Sequence, residues 1–565
     1  MTPPHCSQPP GPHTDPFRWP RATAALTHDH FGQPDPQSQR QYAQHAGIPR
    51  STLGYWLRRD DPAEADPELH PDLVAFLRCS AGEAFLRRIV LAALTTFCLQ
   101  GACGLRLLGA FLRQTRLDRF VACSRGALHP LLVHLESDLA AFRDQHQAEL
   151  ARLMKPRPIT VVADENFHGP DNCLVAIEPV SNFILVECYA CRRDADTWQR
   201  AVRDGTADMP VKVVQLTSDQ ATGLLCCAEK GLQVAHSPDL FHGQRDLLKP
   251  LLLPLTRPIQ EAQKQLQKAA GLTERLDVPA EQAQPDGEPL ALIEAVRQQV
   301  AAEQRLEEVS RHKEEAVGQV RGIGDDYHPF DRHTGAPVTA QEASVRLTGH
   351  LDRLDEGVRR AGLGQRASEA VSKCRSWVGV LVGCVGWFWG LAQSRVEDLE
   401  LTQEQERLVY EKLLPGYYWE AAGGRARTAQ ERERLKEMAS KLKEQAWSDG
   451  GALAELSEEE RGRVRQVARE TAGLFSRSSS CVEGRNGRLS LQHHGHSRVS
   501  QRRLVALSVT HNYVVQRADG TTAAERFFGQ RHPDVFVWLL ERLPDLPRPA
   551  KKRRDTAAQG LPEPK

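Results

Sequence analysis

Between residues 157 and 250 the chain changes its periodicity, and that change limits what the rest can fold around. Elsewhere apolar residues recur at helical spacing; here they run in short, β-branched stretches. Pro158 to His168 (PITVVADENFH) is one such run, and it ends in acid. NCLVAIEPV and NFILVECYA follow, and Pro179-Val180-Ser181-Asn182 between them predicts a hairpin of two apolar strands. Lys212 to Gly231 (KVVQLTSDQATGLLCCAEKG) reads as a strand ending at Asp219, then a helix. LQVAHSPDLFHGQRDLLK reads as a further strand running into a helix, and Thr197 to Arg203 supplies a helix before them.

Three antiparallel strands followed by parallel strands with crossover helices resemble an RNase H-like fold. The expected fold class is an α/β RNase H-like catalytic core, interrupted by a large all-α insertion and preceded by a helical helix-turn-helix region. The expected boundaries are a Pro-, His- and Gln-rich flexible tail over 1–37 and a helical DNA-binding region over 38–150. The core begins over 157–250, an α-helical insertion fills 251–470, the core ends over 471–545, and 546–565 form a basic tail.

Acids at strand ends have a use in such a fold. In-line attack on a phosphodiester is promoted by two divalent ions about 3.5–4 Å apart, and Mg²⁺ prefers carboxylate oxygens. Asp164 ends the first strand and Asp219 the fourth; the fold makes those strands neighbours, although 54 residues separate the two acids. Glu165 points to the other side of a continuing strand. A third acid is needed, and Glu483 in SCVEGRNGR lies among basic and amide side chains.

Gln37 to Arg59 carries helix-turn-helix spacing. Tyr42, Ala43 and Ala46 share one helical face, Gly47 suits the turn, and Leu53, Trp56 and Leu57 repeat at i, i+3, i+4. The second helix offers Arg50, Ser51, Thr52 and Tyr55 to a DNA major groove, with Arg58 and Arg59 near phosphates. An ordinary helical hairpin has the same spacing. Residues 82–142 give a second helical unit, with Arg125 and His129 at the start of its last helix.

At this point the blocks VADENFH, LVAIEPVSNFILVE, TSDQATGL, SPDLFHGQRDL, VEGRNGRLSL and DGTTAAERFFG resemble those of bacterial insertion-sequence transposases of the DDE type. Asp239-x-x-His242 resembles the Asp- or Cys-x-x-His motif of Mutator-like and hAT elements, which interrupt the core with helices before the final Glu. The 263 residues between Asp219 and Glu483 match such an insertion. The resemblance covers about 157–250 and 476–545. It implies that Asp164, Asp219 and Glu483 bind two Mg²⁺ or Mn²⁺ ions, and that His242, oriented by Asp239, lies near the scissile phosphate. It also implies that Arg485 and Asn486 touch the DNA backbone. The implied activity is metal-dependent DNA cleavage, then attack of the freed 3′-hydroxyl on target DNA. The implied partners are double-stranded transposon ends and target DNA, and a homodimer or higher oligomer on them. The implied setting is the bacterial cytoplasm, at the nucleoid. The alternative is an inactive or domesticated transposase-derived DNA-binding protein.

Composition excludes some classes. Lys plus Arg and Asp plus Glu are 73 each, so neither a histone-like protein nor a disordered polyelectrolyte is expected. The balance conceals segregation: residues 476–565 hold 16 Lys and Arg against 8 Asp and Glu, while 261–470 hold 30 against 37. Lys551-Lys552-Arg553-Arg554 reads as a phosphate-attracting tail. Thirteen Cys without CxxC repeats predict neither a secreted disulfide scaffold nor a zinc ribbon. No signal peptide is read at the start. Trp377 to Ala392 is apolar but shorter than the about 20 residues that span a bilayer, so a buried helix with a core aromatic patch is expected. Asp325-Asp326 and Asp352/Asp355/Glu356 are read as solvated faces, and His493, His494 and His496 as part of a basic loop.

Overall fold

A computed structural model of the chain describes residues 38–57, 66–169, 171–277, 288–426, 428–448, 450–495 and 499–549, with residues 31, 59, 60, 63, 552 and 553. It divides into two compact units, one of residues 1–150 with 488–565 and one of residues 151–487.

The first unit begins with helices α1 (Gln39–His45) and α2 (Arg50–Leu57). Ser38 caps α1 by a capping box with Gln41, and Gly47 takes the left-handed φ of 65° that the turn requires. Ala43, Ile48 and Leu53 are buried between them. Arg50 and Ser51 are exposed. Thr52 is buried at 5% exposure, which corrects its assignment to a DNA groove: it sits beside Leu53 on the inward side of α2. The side chains of Tyr55 and Arg59 lie outside the described residues, as do Arg58 and His496. Arg125 and His129 are exposed at the start of the 29-residue helix Arg125–Leu153.

The C-terminal segment past residue 487 belongs to this first unit, not to the sheet with which the sequence grouped it. The cause is a buried charge. Glu136 receives Arg502 and Arg503, both at 3.0 Å, and Gln492 donates to the Leu99 carbonyl at 3.1 Å. Of the basic tail, the backbone of Lys552 and Arg553 pairs antiparallel with Asp60 and Arg59. Its flanking residues lie outside the described ones.

The second unit is built on a five-stranded mixed sheet: β1 (Arg157–His168), β2 (Asp171–Glu178), β3 (Phe183–Ala190), β4 (Val211–Ser218) and β5 (Ala235–Pro238). The spatial order is β3-β2-β1-β4-β5. The first three strands are antiparallel, and β1-β4 and β4-β5 are parallel. Asn182 takes a left-handed φ of 66° in the β2–β3 turn, where the Glu178 carboxylate accepts from the amides of Val180 at 2.9 Å and Ser181 at 2.7 Å.

One sheet face is apolar. Ile159, Val161, Ala163, Leu174, Ala176, Val186 and Leu216 pack against Trp198 and Val202 of helix α3 (Ala195–Thr206). Full burial of each large aliphatic side chain contributes about 1.5–3 kcal/mol, so this face fixes strand register. The other face carries Thr160, Gln215, Thr217 and Ser237, all at 1% exposure or less. Buried polar groups must be hydrogen-bonded, and a segment from the far end of the unit supplies their partners.

Between these parts lie helices α4 (Leu240–Leu276), α5 (Glu288–Asp326), α6 (Ala340–Arg360), α7 (Gln365–Glu397) and further helices to Ala472. By length and apolarity α7, with 33 residues, meets the requirement for crossing a membrane. The apolar run Trp377 to Ala392 is only part of it, and 28% of its most apolar window is buried. What holds α7 in the helical core is the face formed by Leu381, Cys384, Val385, Phe388 and Ala392, with Trp389 donating to the Val338 carbonyl at 2.8 Å. The acidic clusters have side-chain partners: Arg375 bridges Asp352 and Asp355, both at 2.8 Å, and Asp326 meets His350 at 2.8 Å.

Candidate active site

Parallel pairing of β1 and β4 runs to Val162 opposite Thr217. Asp164 and Asp219 each stand two residues further on. Side chains alternate between sheet faces, so both acids belong to the polar face. Glu165 belongs to the other face; it accepts from the Trp198 indole at 3.2 Å and pairs with Arg193 at 3.0 Å.

The third acid arrives by a polar strap. The Leu474 carbonyl accepts from Thr160 at 2.6 Å, and that of Ser476 from Ser237 at 2.9 Å. The Ser476 amide donates to Gln215 at 3.2 Å, and Ser479 donates to Asp239 through its amide at 3.1 Å and its hydroxyl at 2.5 Å. Helix α8 (Ser480–Gly495) follows at once, with Glu483 in its first turn. Two further contacts pin α8 to the polar face. Arg485 grips Glu187 of β3 through two bonds of 2.6 Å, with both side chains buried. Asn486 donates to the second carboxylate oxygen of Asp164 at 3.0 Å.

This corrects two readings of α8. Arg485, expected on DNA, is turned inward because Glu187 needs a buried counter-charge. Asn486, offered to the DNA backbone, instead holds Asp164. Its own Oδ1 is buried without a partner among the described residues.

Asp239 caps the N-terminus of α4 by accepting from the Phe241 amide at 3.0 Å, and it also bonds Nδ1 of His242. The other ring nitrogen of His242 stands 3.3 Å from Glu483. Both nitrogens thus face carboxylate oxygens, which only accept, so the geometry favours the imidazolium. The Asp239 hydrogen bond accordingly raises the His242 pKa. Burial works to raise the Asp239 carboxyl, but hydrogen bonds from His242 and Ser479 outweigh it and hold that group below its usual value.

Burial first, and then the nearby charges of Asp219 and Glu483, push Asp164 up to about 7. Asp219 and Glu483, far from Asp164 in sequence, thus both act on its carboxyl. Among the described residues no three His, Cys, Asp or Glu side chains close into a metal-sized group.

Sequence reasoning passed over the strap and its partners. Their signal is the alternation of Gln215 and Thr217 with Val214 and Leu216 on β4, continued by Asp219 just past its end.

Comparison with family models matches residues 409–555 to a family of unknown function, DUF6399. Glu483, Arg485 and Asn486 lie inside the match; Asp164, Asp219 and His242 lie outside it. No curated protein matches the chain.

Proposed function

We propose that the chain is a DDE-type transposase, cutting and joining DNA at an RNase H-like core interrupted by a helical insertion. The observation that carries this reading is geometric: Asn486, three residues after Glu483 on α8, bonds Asp164 at 3.0 Å, and Asp164 and Asp219 each stand two residues past the last parallel pair of β1 and β4, although Glu483 lies 264 residues past Asp219. The strand order β3-β2-β1-β4-β5, with each Asp two residues past the last parallel pair of β1 and β4, supports the RNase H-like assignment. The exposed Arg50 and Ser51 at the start of α2 support a DNA-reading helix.

Two divalent ions, Mg²⁺ or Mn²⁺, are implied by this chemistry, and the donor types present suit them, although among the described residues no three of these side chains close into a metal-sized group. The donors are hard carboxylate oxygens, added positive charge is favoured beside a carboxyl pushed up to about 7, and the buried Oδ1 of Asn486 stands without a partner. Asp164, Asp219 and Glu483 would hold the ions. When bound, they supply activation of the attacking oxygen and stabilisation of the leaving one. The chain's own groups do the rest. Asn486 fixes the Asp164 carboxylate, Asp239 orients His242, and the cationic imidazole offers charge to a phosphate oxygen.

The test is a cleavage and strand-transfer assay with Mg²⁺ on DNA carrying the element's own ends. The wild type is expected to nick and join, and Asp219→Asn to bind the same DNA without cutting it. Wild-type protein that binds the ends and never cuts would contradict the enzyme reading and support an inactive DNA-binding protein.

A further inference from the structure

Helices α4 and α5 pack as an antiparallel pair; Gln244 of α4 donates to the Val320 carbonyl of α5 at 2.7 Å, and Ala269 and Ala295 are buried. Ala295 belongs to the α5 face turned toward α4. Leu290, Ile293, Val296 and Val300 occupy the opposite face, at spacings of three and four residues. Their exposures are 77%, 50%, 43% and 45%. A solvent-facing helix surface is ordinarily polar, and a continuous apolar stripe of this kind marks an interaction site.

The charges beside the stripe select its occupant. Glu294 and Arg297 lie on the same flank of the stripe, and both are exposed. Within one chain they make only a loose contact of 3.9 Å. An antiparallel pairing of two α5 helices about a two-fold axis near Ala295 sets Leu290 against Val300 of the other copy. Residues on the same flank then meet across the axis, so each Glu294 faces the other copy's Arg297. The stripe and its charged flank are thus complementary to themselves in the antiparallel pairing, as an isologous interface requires.

We infer that the α5 stripe Leu290, Ile293, Val296 and Val300 is a self-association surface, pairing antiparallel with the same stripe of a second copy of this chain. Four side chains form a small patch against the about 800 Å² per partner of a standard stable interface, so the association is weak and depends on concentration.

Sedimentation velocity on the full chain tests it. Over a hundredfold range of concentration the wild type is expected to shift from monomer to dimer. Ile293→Glu and Val300→Glu face solvent in the monomer, so the fold tolerates them, and circular dichroism should stay unchanged. Each is expected to raise the dissociation constant by about tenfold or more. Glu294→Arg and Arg297→Glu singly weaken association several-fold, and the double exchange restores it. A chain monomeric throughout, a dimer indifferent to Ile293→Glu, or a double exchange that fails to restore association would each overturn the inference.

Discussion

Arg485 and Glu187 form the most consequential single pair in the sheet unit. Both are buried, and two bonds of 2.6 Å join them. Removing one partner of a buried pair strands the other charge at a cost of about 3–5 kcal/mol, whereas replacing both with apolar groups of similar volume is often neutral. Arg485→Met alone should therefore lower the midpoint of chemical denaturation sharply, and Arg485→Met with Glu187→Leu should recover most of it. An Arg485→Met variant as stable as the wild type would show that this pair does not anchor α8. His236 makes a second prediction. Burial depresses its pKa to about 4, and its Nε2 lies 2.9 Å from the Ser218 hydroxyl. A histidine neutral in the folded state and protonated when unfolded supports stability above about 6.5 and loses that support as pH falls toward about 4. Unfolding free energy followed across this window should drop more steeply for the wild type than for His236→Asn; parallel profiles would refute it. Neither pair was legible locally. Arg485 sits in a basic stretch that looks like a phosphate contact, and its partner is 298 residues away. Asp164 and Asp219 were legible because each follows an apolar run; the expectation that Asp164 ends its strand was not met, since β1 pairs with β2 as far as His168.

At the scale of elements, close packing sets the position of His242. A Cβ on Gly243 would lie 2.5 Å from the Trp377 ring of α7. Gly→Ala inside a helix otherwise gains up to about 1 kcal/mol, and overpacking costs about 1–3 kcal/mol, so the clash wins. Gly243→Ala is expected to lower the melting temperature and to impair cleavage by shifting the first turn of α4; Trp377→Leu in the same chain should restore both. A Gly243→Ala protein with raised stability would contradict this packing. The strands could be read from the switch between periods of two and 3.6 residues, and the adjacency of the first and fourth from the fold that their sequence resembles. The strap over Leu474 to Ser479 could not, because its partners are strand side chains more than 200 residues earlier. The aromatic patch on α7 was legible as core only in part: Phe388 is fully buried, while Trp377, Trp387 and Trp389 are half-buried, and polar residues before Trp377 and after Ala392 continue the helix.

At the scale of the whole chain, the zero net charge conceals separate uses of charge. Part of the basic C-terminal excess is spent internally, by Arg503 on Glu136 and, before the unit boundary, by Arg485 on Glu187. A count of Lys and Arg therefore overstates how much of that region is free for DNA. The division into units follows the same pairs, and linear order alone did not reveal that residues past 487 belong with the N-terminal helices. The central claim is that acids from β1, the end of β4 and α8 form one divalent-cation site. Calorimetric titration of the full chain with Mn²⁺ tests it most directly. The account predicts saturable binding by the wild type and comparable loss in Asp164→Asn, Asp219→Asn and Glu483→Gln, although Glu483 comes from a segment far from the other two. No binding by the wild type, or binding by Glu483→Gln equal to the wild type, would contradict it.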